Sequence, residues 1–434
     1  MSAGDVVLVL TVGGSPQPLR TAIRALGPRF VGFVCSDGRD GRPSSIGEAE
    51  ALAAEFALGD DTFAVLTVSP DDPDDAGPRC RAFVEDLRRR FPDARLRLDY
   101  TGGTKTMSAA LMLAGIREPE AKVELQLVTG ERADLRQVAD GTERATRIEV
   151  DALLAERTLE TAARFWARFG YGEAELLLEP AATDLAHAES VPADLRARLV
   201  RAHRRSALFA AWDRFDHVTA RGLAADLEVP LAPAHRTALD GLAEHHEPSA
   251  LLVVDLWRNA CRRAARGQYE DAVARCYRAA EATAQWLLRE HAGVETGDVD
   301  LAKVPEPLHQ RVNKHRGRRN LVQLPLTGAW DLLSGWGDRR DAPDAFRATK
   351  QVLGRRMPAL AMKTPRHTLD DPKDGWTLRR NRSILAHGFE AVGPADWEAV
   401  RIWLQAVIVE GVLPALDLDP DAILPQLPTA LEDE

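Results

Sequence analysis

Near the far end of the chain, the stretch Thr377-Leu378-Arg379-Arg380-Asn381-Arg382-Ser383-Ile384-Leu385-Ala386-His387-Gly388 concentrates residues able to do chemistry. Read as a helix, with ~100° between successive residues, it puts Leu378, Leu385 and Phe389 on one stripe. Arg380, Ser383 and His387 then fall on the opposite side. Arg380 and His387 lie two turns apart along one line, so a permanent cation and a group titrating near neutrality look at the same point. Such a pair suits phosphodiester chemistry. The imidazole moves a proton to or from a hydroxyl or leaving oxygen, and the guanidinium holds phosphate oxygens as charge builds. Arg382 is a second candidate for the guanidinium role. Asn381, an uncharged donor and acceptor, could orient either partner. A charged helix end with one surface histidine is the plain alternative reading of the same residues.

The elements that must position this stretch follow from composition and pattern. At 434 residues the chain has room for two or three domains. Hydrophobic content of 45% with 28% charged residues is ordinary for a globular protein. A formal net charge of −10 argues against a general nucleic-acid coat, so RNA contact must come from local basic clusters. Two stand out: Arg258, Arg262, Arg263 and Arg266, and Arg311, Lys314, His315, Arg316, Arg318 and Arg319. Cys35, Cys80, Cys261 and Cys276 are widely spaced with no Cys-x-x-Cys pair, which points to a reducing cytoplasm and gives no metal signal. The residues Met1-Ser2-Ala3-Gly4-Asp5 lack the basic region of a secretory signal. No apolar run approaches the ~20 residues needed to cross a bilayer, so no membrane partner is expected. All nine tryptophans lie from Trp166 onward, a break between two unlike halves.

In the first half, residues 5–12 form a nearly unbroken apolar run, the mark of a strand buried on both faces. Residues 30–35 repeat it and stop at Ser36-Asp37-Gly38. Further strands are expected over 63–68, 95–100 and 122–129, with helices to about Leu26 and over 46–56, 79–90 and 107–117. Antiparallel strands are expected near 135–138 and 145–150. This alternation predicts an α/β fold, a doubly wound and mostly parallel, Rossmann-like sheet. Ligands of such sheets bind outside the carboxyl ends of the strands. Two strand ends suit an anion: Thr11-Val12-Gly13-Gly14-Ser15 and Thr101-Gly102-Gly103-Thr104-Lys105. Their glycines let backbone N–H groups approach closely, the following helix N-termini favour negative charge, and Lys105 adds a point charge. Ser36 is placed with them at the end of the second strand. The Lys105 loop is not a Walker A element, because Thr104 separates Gly103 from Lys105 and Leu98 stands where an earlier glycine is required.

From residue 151 onward strand signals nearly vanish. Helices are expected over 153–169, 193–212, 214–227, 248–265 and 269–291, with breaks around Pro180, Pro192 and Pro230. The domains read as 1–150, a helical connector at 151–245 that transmits motion, and an all-α domain at 246–434. Within 269–291, Arg278 stands three residues before Glu281. On a helix surface such a pair contributes only a few tenths of a kcal/mol. No helix-turn-helix with a basic recognition helix appears, so DNA is not an expected partner.

Two resemblances join these halves. Arg380-Asn381 with His387 is similar to the Arg-polar…His signature of HEPN ribonucleases, and the two glycine loops resemble those of CARF domains, which sense cyclic oligoadenylates made by type III CRISPR complexes. Together they resemble a CARF–HEPN ribonuclease. The resemblance implies a homodimer whose paired CARF domains bind the ring through Thr11, Gly13, Gly14, Ser15, Ser36 and Thr101, Gly102, Gly103, Thr104, Lys105. It implies a metal-independent endoribonuclease acting on single-stranded RNA, with no cofactor and with cyclic tetra-adenylate preferred over hexa-adenylate as activator. Arg278 and Glu281 would support Arg380, Asn381, Arg382 and His387 from behind. Thr11, Ser15 or Thr104 could assist slow cleavage of the activator. The alternatives are a nucleotide-sensing CARF regulator or partner-docking protein without nuclease activity, and a ligand-independent ribonuclease toxin.

Overall fold

The computed structural model describes residues 6–38, 43–116, 123–129, 144–148, 151–185, 190–228, 230–245, 247–317, 320–359, 381, 383–385 and 388–431. The chain divides into two compact units, Met1–Arg157 with Thr183–Arg196, and Thr158–Ala182 with Ala197–Glu434.

The first unit alternates β1 (Val6–Thr11), α1 (Gln17–Leu26), β2 (Phe30–Ser36), α2 (Ile46–Glu55), β3 (Phe63–Val68), α3 (Pro73–Arg90), β4 (Arg95–Asp99), α4 (Lys105–Ile116), β5 (Val123–Thr129) and β6 (Arg144–Ile148). The sheet order is β3-β2-β1-β4-β5-β6. Its first five strands run parallel, and β6 pairs antiparallel with β5. Side-chain alternation along β1 feeds two cores. Leu8 and Leu10 pack with α1 and α2 residues such as Leu19, Ile23 and Leu52. Val7 and Val9 pack with Val84 and Leu87 of α3 and Leu111 of α4. The crossovers therefore leave β1 on opposite faces, and the gap between β1 and β4 is the topological switch point where such sheets bind ligands.

The doubly wound sheet is as expected from the alternation, but α3 is longer. It begins at Pro73 and runs through Pro78. Asp72 caps it, its side chain accepting from Asp74 N at 2.9 Å and Asp75 N at 3.4 Å. Proline at the first helical position needs no amide partner. Pro78 lies in the second turn, and the Asp74 carbonyl it leaves without an amide belongs to an exposed residue, so water can satisfy it. The strand expected near 135–138 lies outside the described residues.

In the second unit the helices are the remainder of α5 (Asp151–Trp166), α6 (Tyr171–Asp184), α7 (Ala193–Asp213), α8 (His217–Ala225), α9 (Pro233–Glu244), α10 (Ala250–Ala265), α11 (Tyr269–Ala292), α12 (His309–Asn313), α13 (Leu326–Gly337) and α14 (Asp344–Ala359). A helix Pro394–Leu404 continues into a π-helical stretch, Gln405–Val412. The break expected at Pro180 does not occur, since α6 carries that proline inside it. The carbonyl it leaves without an amide belongs to Leu176, itself 70% exposed, so water can satisfy it. Tryptophans build the core: Trp330 Nε1 donates to Ala280 O at 3.1 Å, and the Trp330 and Trp403 rings meet edge-on at 5.8 Å. Among the described residues no helix is long and apolar enough to cross a membrane.

The arginines of α10 and the turn after it do not form an open basic face. Arg262 is fully buried, its Nε donating to Asp213 Oδ1 at 2.8 Å, and Arg263 reaches Asp213 Oδ2 at 2.8 Å. Arg258 pairs with Asp421, and Arg266 with Glu173. Acidic residues remote in sequence neutralise this cluster, so the RNA path expected there is withdrawn.

Candidate functional site

At the carboxyl edge of the sheet, a cleft of about 310 Å³ opens over the ends of β1, β2, β3 and β4. Five of the sequence-predicted residues line it: Gly13, Gly14, Ser36, Gly103 and Thr104. Val12, Pro43, Pro70 and Met107 supply apolar wall, and Ser44, Ser45, Glu48 and Asp71 supply polar wall. Sequence reasoning missed these eight. Only Ser45 and Glu48 carried a local signal, the Ser-x-x-Glu spacing of a helix start.

The two glycine turns interlock. A Cβ on Gly13 would sit 2.6 Å from Gly103 N, and one on Gly102 would sit 2.3 Å from Thr11 O. Gly103 takes φ +74°, a conformation that side chains rarely adopt. Thr11 is buried and donates its hydroxyl to Gly102 O at 2.7 Å. That hydroxyl fastens the turns together and does not face the cleft, so it is withdrawn as an aid to activator cleavage. Ser108 Oγ donates to the same carbonyl at 2.8 Å. Thr104 opens α4, with Met107 N donating to its Oγ1 at 3.3 Å while that hydroxyl donates to Pro70 O. Ser15 and Lys105 are exposed and stand outside the cleft lining.

Thr101 is held from below. Its N and Oγ1 donate to Asp99 Oδ1 at 2.9 and 2.5 Å, and Gln126 Nε2 donates to Asp99 Oδ2 at 2.9 Å. Thr101 Oγ1 in turn accepts from Val128 N at 2.7 Å. Burial raises the Asp99 carboxyl above its ordinary 3.8, against the lowering effect of these hydrogen bonds. Asp99→Ala leaves three donors without an acceptor and should lower stability by about 1–3 kcal/mol per unsatisfied buried group at most, read by urea melts. A raised folded-state value means the stability linked to Asp99 is present below 3.8 and is lost as pH rises through the folded value. Asp99→Asn cannot ionise, so its stability should fall less than that of the unaltered chain as pH rises from 3.8.

In the second unit, Arg380, Arg382 and His387 lie outside the described residues. Asn381 is exposed. The helix expected across this stretch does not continue through the described residues after it. Ser383 bridges to Glu390, and Gly388 N donates to Ser383 O at 3.2 Å, a 6→1 bond of the kind that closes helix ends. Accordingly Ser383 is 3% exposed while Leu385 and Phe389 are 50% and 95% exposed, the reverse of the helical stripe. On α11, Arg278 NH1 donates to Glu281 Oε2 and to Gln285 Oε1, each at 2.8 Å, forming a half-exposed polar line. Burial disfavours the thiolate form of the cysteines. Burial pushes Cys35 and Cys80 up to about 12, and Cys261 to about 11.

Residues 243–359, from the end of α9 through α14, match the family model described as the Csm6 HEPN domain. Comparison with the curated proteins gives no match. Among solved structures, the chain is similar to Enterococcus italicus Csm6 bound to cyclic hexa-2'-fluoro-hexa-dAMP. That likeness covers 97% of this chain and 95% of the other, at 10% identity and a TM-score of 0.55. Similarity to Can2 from Sulfobacillus thermosulfidooxidans in complex with cyclic tetra-adenylate covers 51% of this chain and 68% of that one, at 13% identity and a TM-score of 0.24, too slight to argue from. With a six-stranded doubly wound unit and a helical unit whose residues 243–359 carry the Csm6 HEPN match, the chain shares the fold of that Csm6 structure.

Proposed function

We propose that the chain is an endoribonuclease of type III CRISPR defence, activated by a cyclic oligoadenylate and cutting single-stranded RNA without a metal ion. One observation carries this reading. The region matched as a Csm6 HEPN domain is followed in the sequence by Arg380-Asn381-Arg382 and His387, which supply the guanidinium and the imidazole that phosphodiester cleavage uses. His387 moves the proton of the 2′-hydroxyl or of the leaving oxygen. Arg380, with Arg382, stabilises the phosphate, and Asn381 orients them. Arg278 and Glu281 support them. The product is a 2′,3′-cyclic phosphate or its hydrolysed form.

The cleft at the sheet edge is the activator site, with the ring contacted by the first-strand loop and the Lys105 loop. At about 310 Å³ it stands at the small end of ligand pockets, which run from about 300 to 1,000 Å³. Two copies facing each other would enclose a whole ring, and a two-fold dimer matches a ligand carrying the same symmetry. The dimer also supplies a second His387, so that acid and base come from different chains. The division into a sensor at 1–150, a connector at 151–245 and a nuclease at 246–434 belongs to the same proposal, as does action in the cytoplasm. Cyclic tetra-adenylate is the activator we propose. The hexa-adenylate is the second reading, favoured by the six-membered analogue held by the Enterococcus italicus protein.

One assay tests all of this: cleavage of a single-stranded RNA with and without each ring, and with and without EDTA. Cleavage should require a ring and continue undiminished in EDTA. Cleavage without a ring would mark a constitutive toxin, and ring binding without cleavage would mark a regulator.

A further inference from the structure

The Ser45-Ile46-Gly47-Glu48 spacing at the start of α2 is that of a capping box, in which the glutamate folds back onto the amide of the cap residue. That box is not made. Ser45 N donates to Ser36 Oγ at 3.0 Å, and Ser45 Oγ accepts from Ser36 N at 2.9 Å. The end of β2 has taken both groups the box would use. Glu48 is left on the first turn of α2, lining the cleft, with no hydrogen bond or ion pair to any described residue. No lysine or arginine is among the described residues of the lining.

The cleft is therefore polarised. Gly13, Gly14 and Gly103, at the turns after the neighbouring strands β1 and β4, offer amides and a helix N-terminus to an anion. Glu48 belongs to the β2–β3 side, roughly two strand spacings or ~10 Å away. A carboxylate there repels phosphate and accepts hydrogen bonds only. Between the two ends, Val12, Pro43, Pro70 and Met107 give the apolar faces that a flat base needs. We propose that Glu48 selects the base of the activator, accepting a hydrogen bond from the 6-amino group of an adenine while the glycine turns hold the phosphate. This rests on the activator reading above and adds to it the residue that distinguishes adenine.

The test is calorimetric titration of the full chain with cyclic tetra- and hexa-adenylate, the same rings with unsubstituted purine in place of adenine, and the 2′-deoxy adenine rings. The unaltered chain should bind the purine ring about tenfold more weakly than the adenine ring, the scale of a hydrogen bond to a charged group. Glu48→Ala should lose that difference, binding both rings alike. Glu48→Gln keeps an acceptor and should fall between, and circular dichroism confirms that both variants remain folded. An adenine-over-purine preference undiminished in Glu48→Ala overturns the proposal. So does a variant that loses only the distinction between ribose and 2′-deoxyribose rings, because the carboxylate would then hold a hydroxyl. If the unaltered chain binds no ring, the activator reading fails first and this inference with it.

Discussion

His387→Ala should abolish ring-activated RNA cleavage while leaving the fold and activator binding intact. A positioned acid or base contributes about 10²–10⁴ to a rate, so residual cleavage should fall by at least that factor at saturating activator. The loss should appear in turnover rather than in RNA affinity, because the imidazole acts when the proton moves and arginines hold the backbone. Parallel Arg380→Ala and Arg382→Ala variants identify the guanidinium at the scissile group as the one whose loss reduces turnover more. If two chains share one site, mixing His387→Ala with Arg380→Ala subunits should restore part of the activity, whereas a site complete within one chain would stay dead. A His387→Ala enzyme that cleaves at full rate refutes the assignment.

Gly102→Ala should uncouple the chain from its activator. The added Cβ would lie 2.3 Å from Thr11 O and 3.2 Å from Gly13 N, both backbone atoms of the neighbouring turn. Neither can move without parting the Thr11–Gly102 hydrogen bond that joins the two loops. Overpacking of this kind costs about 1–3 kcal/mol. If that strain is relieved by opening the turns, ring affinity should fall roughly 10- to 100-fold at 1.4 kcal/mol per tenfold. Gly14→Ala is the control, since a Cβ there meets nothing within 4 Å. It should fold as the unaltered chain does and change ring binding only through direct contact. Titration of both variants separates a damaged cradle from a crowded one. Equal affinity in Gly102→Ala and the unaltered chain would mean the turns do not hold the ring.

Much of the first unit could be read without coordinates because its strands are buried on both faces. The run Val6–Thr11 has no polar interruption until the threonine, and the same continuous pattern recurs in Phe30–Ser36. Helix ends were less legible where proline intervened. The helix expected from residue 79 in fact starts at Pro73 and includes Pro78, and Pro180, expected as a break, lies inside α6, because an exposed carbonyl left without its amide is satisfied by water. The arginines of α10 misled for a different reason. Charge in sequence says nothing of the partner, and Asp213 lies 49 positions before the Arg262 it neutralises.

The types and local spacing of residues, by themselves, determined the doubly wound sheet, the two glycine turns and the helical second half. These depend on periodicity, backbone permission and intrinsic chemistry, all of them properties of short stretches. Only the tertiary structure decided which glycine turn closes against which, that Thr11 and Asp99 act as fasteners, and that Glu48 lines the cleft without a partner among the described residues. Those outcomes turn on Ser36 reaching Ser45 and on Gly102 reaching Thr11, across 9 and 91 positions of chain. A hydrogen bond between remote groups depends on where the whole sheet places them, which no local pattern encodes.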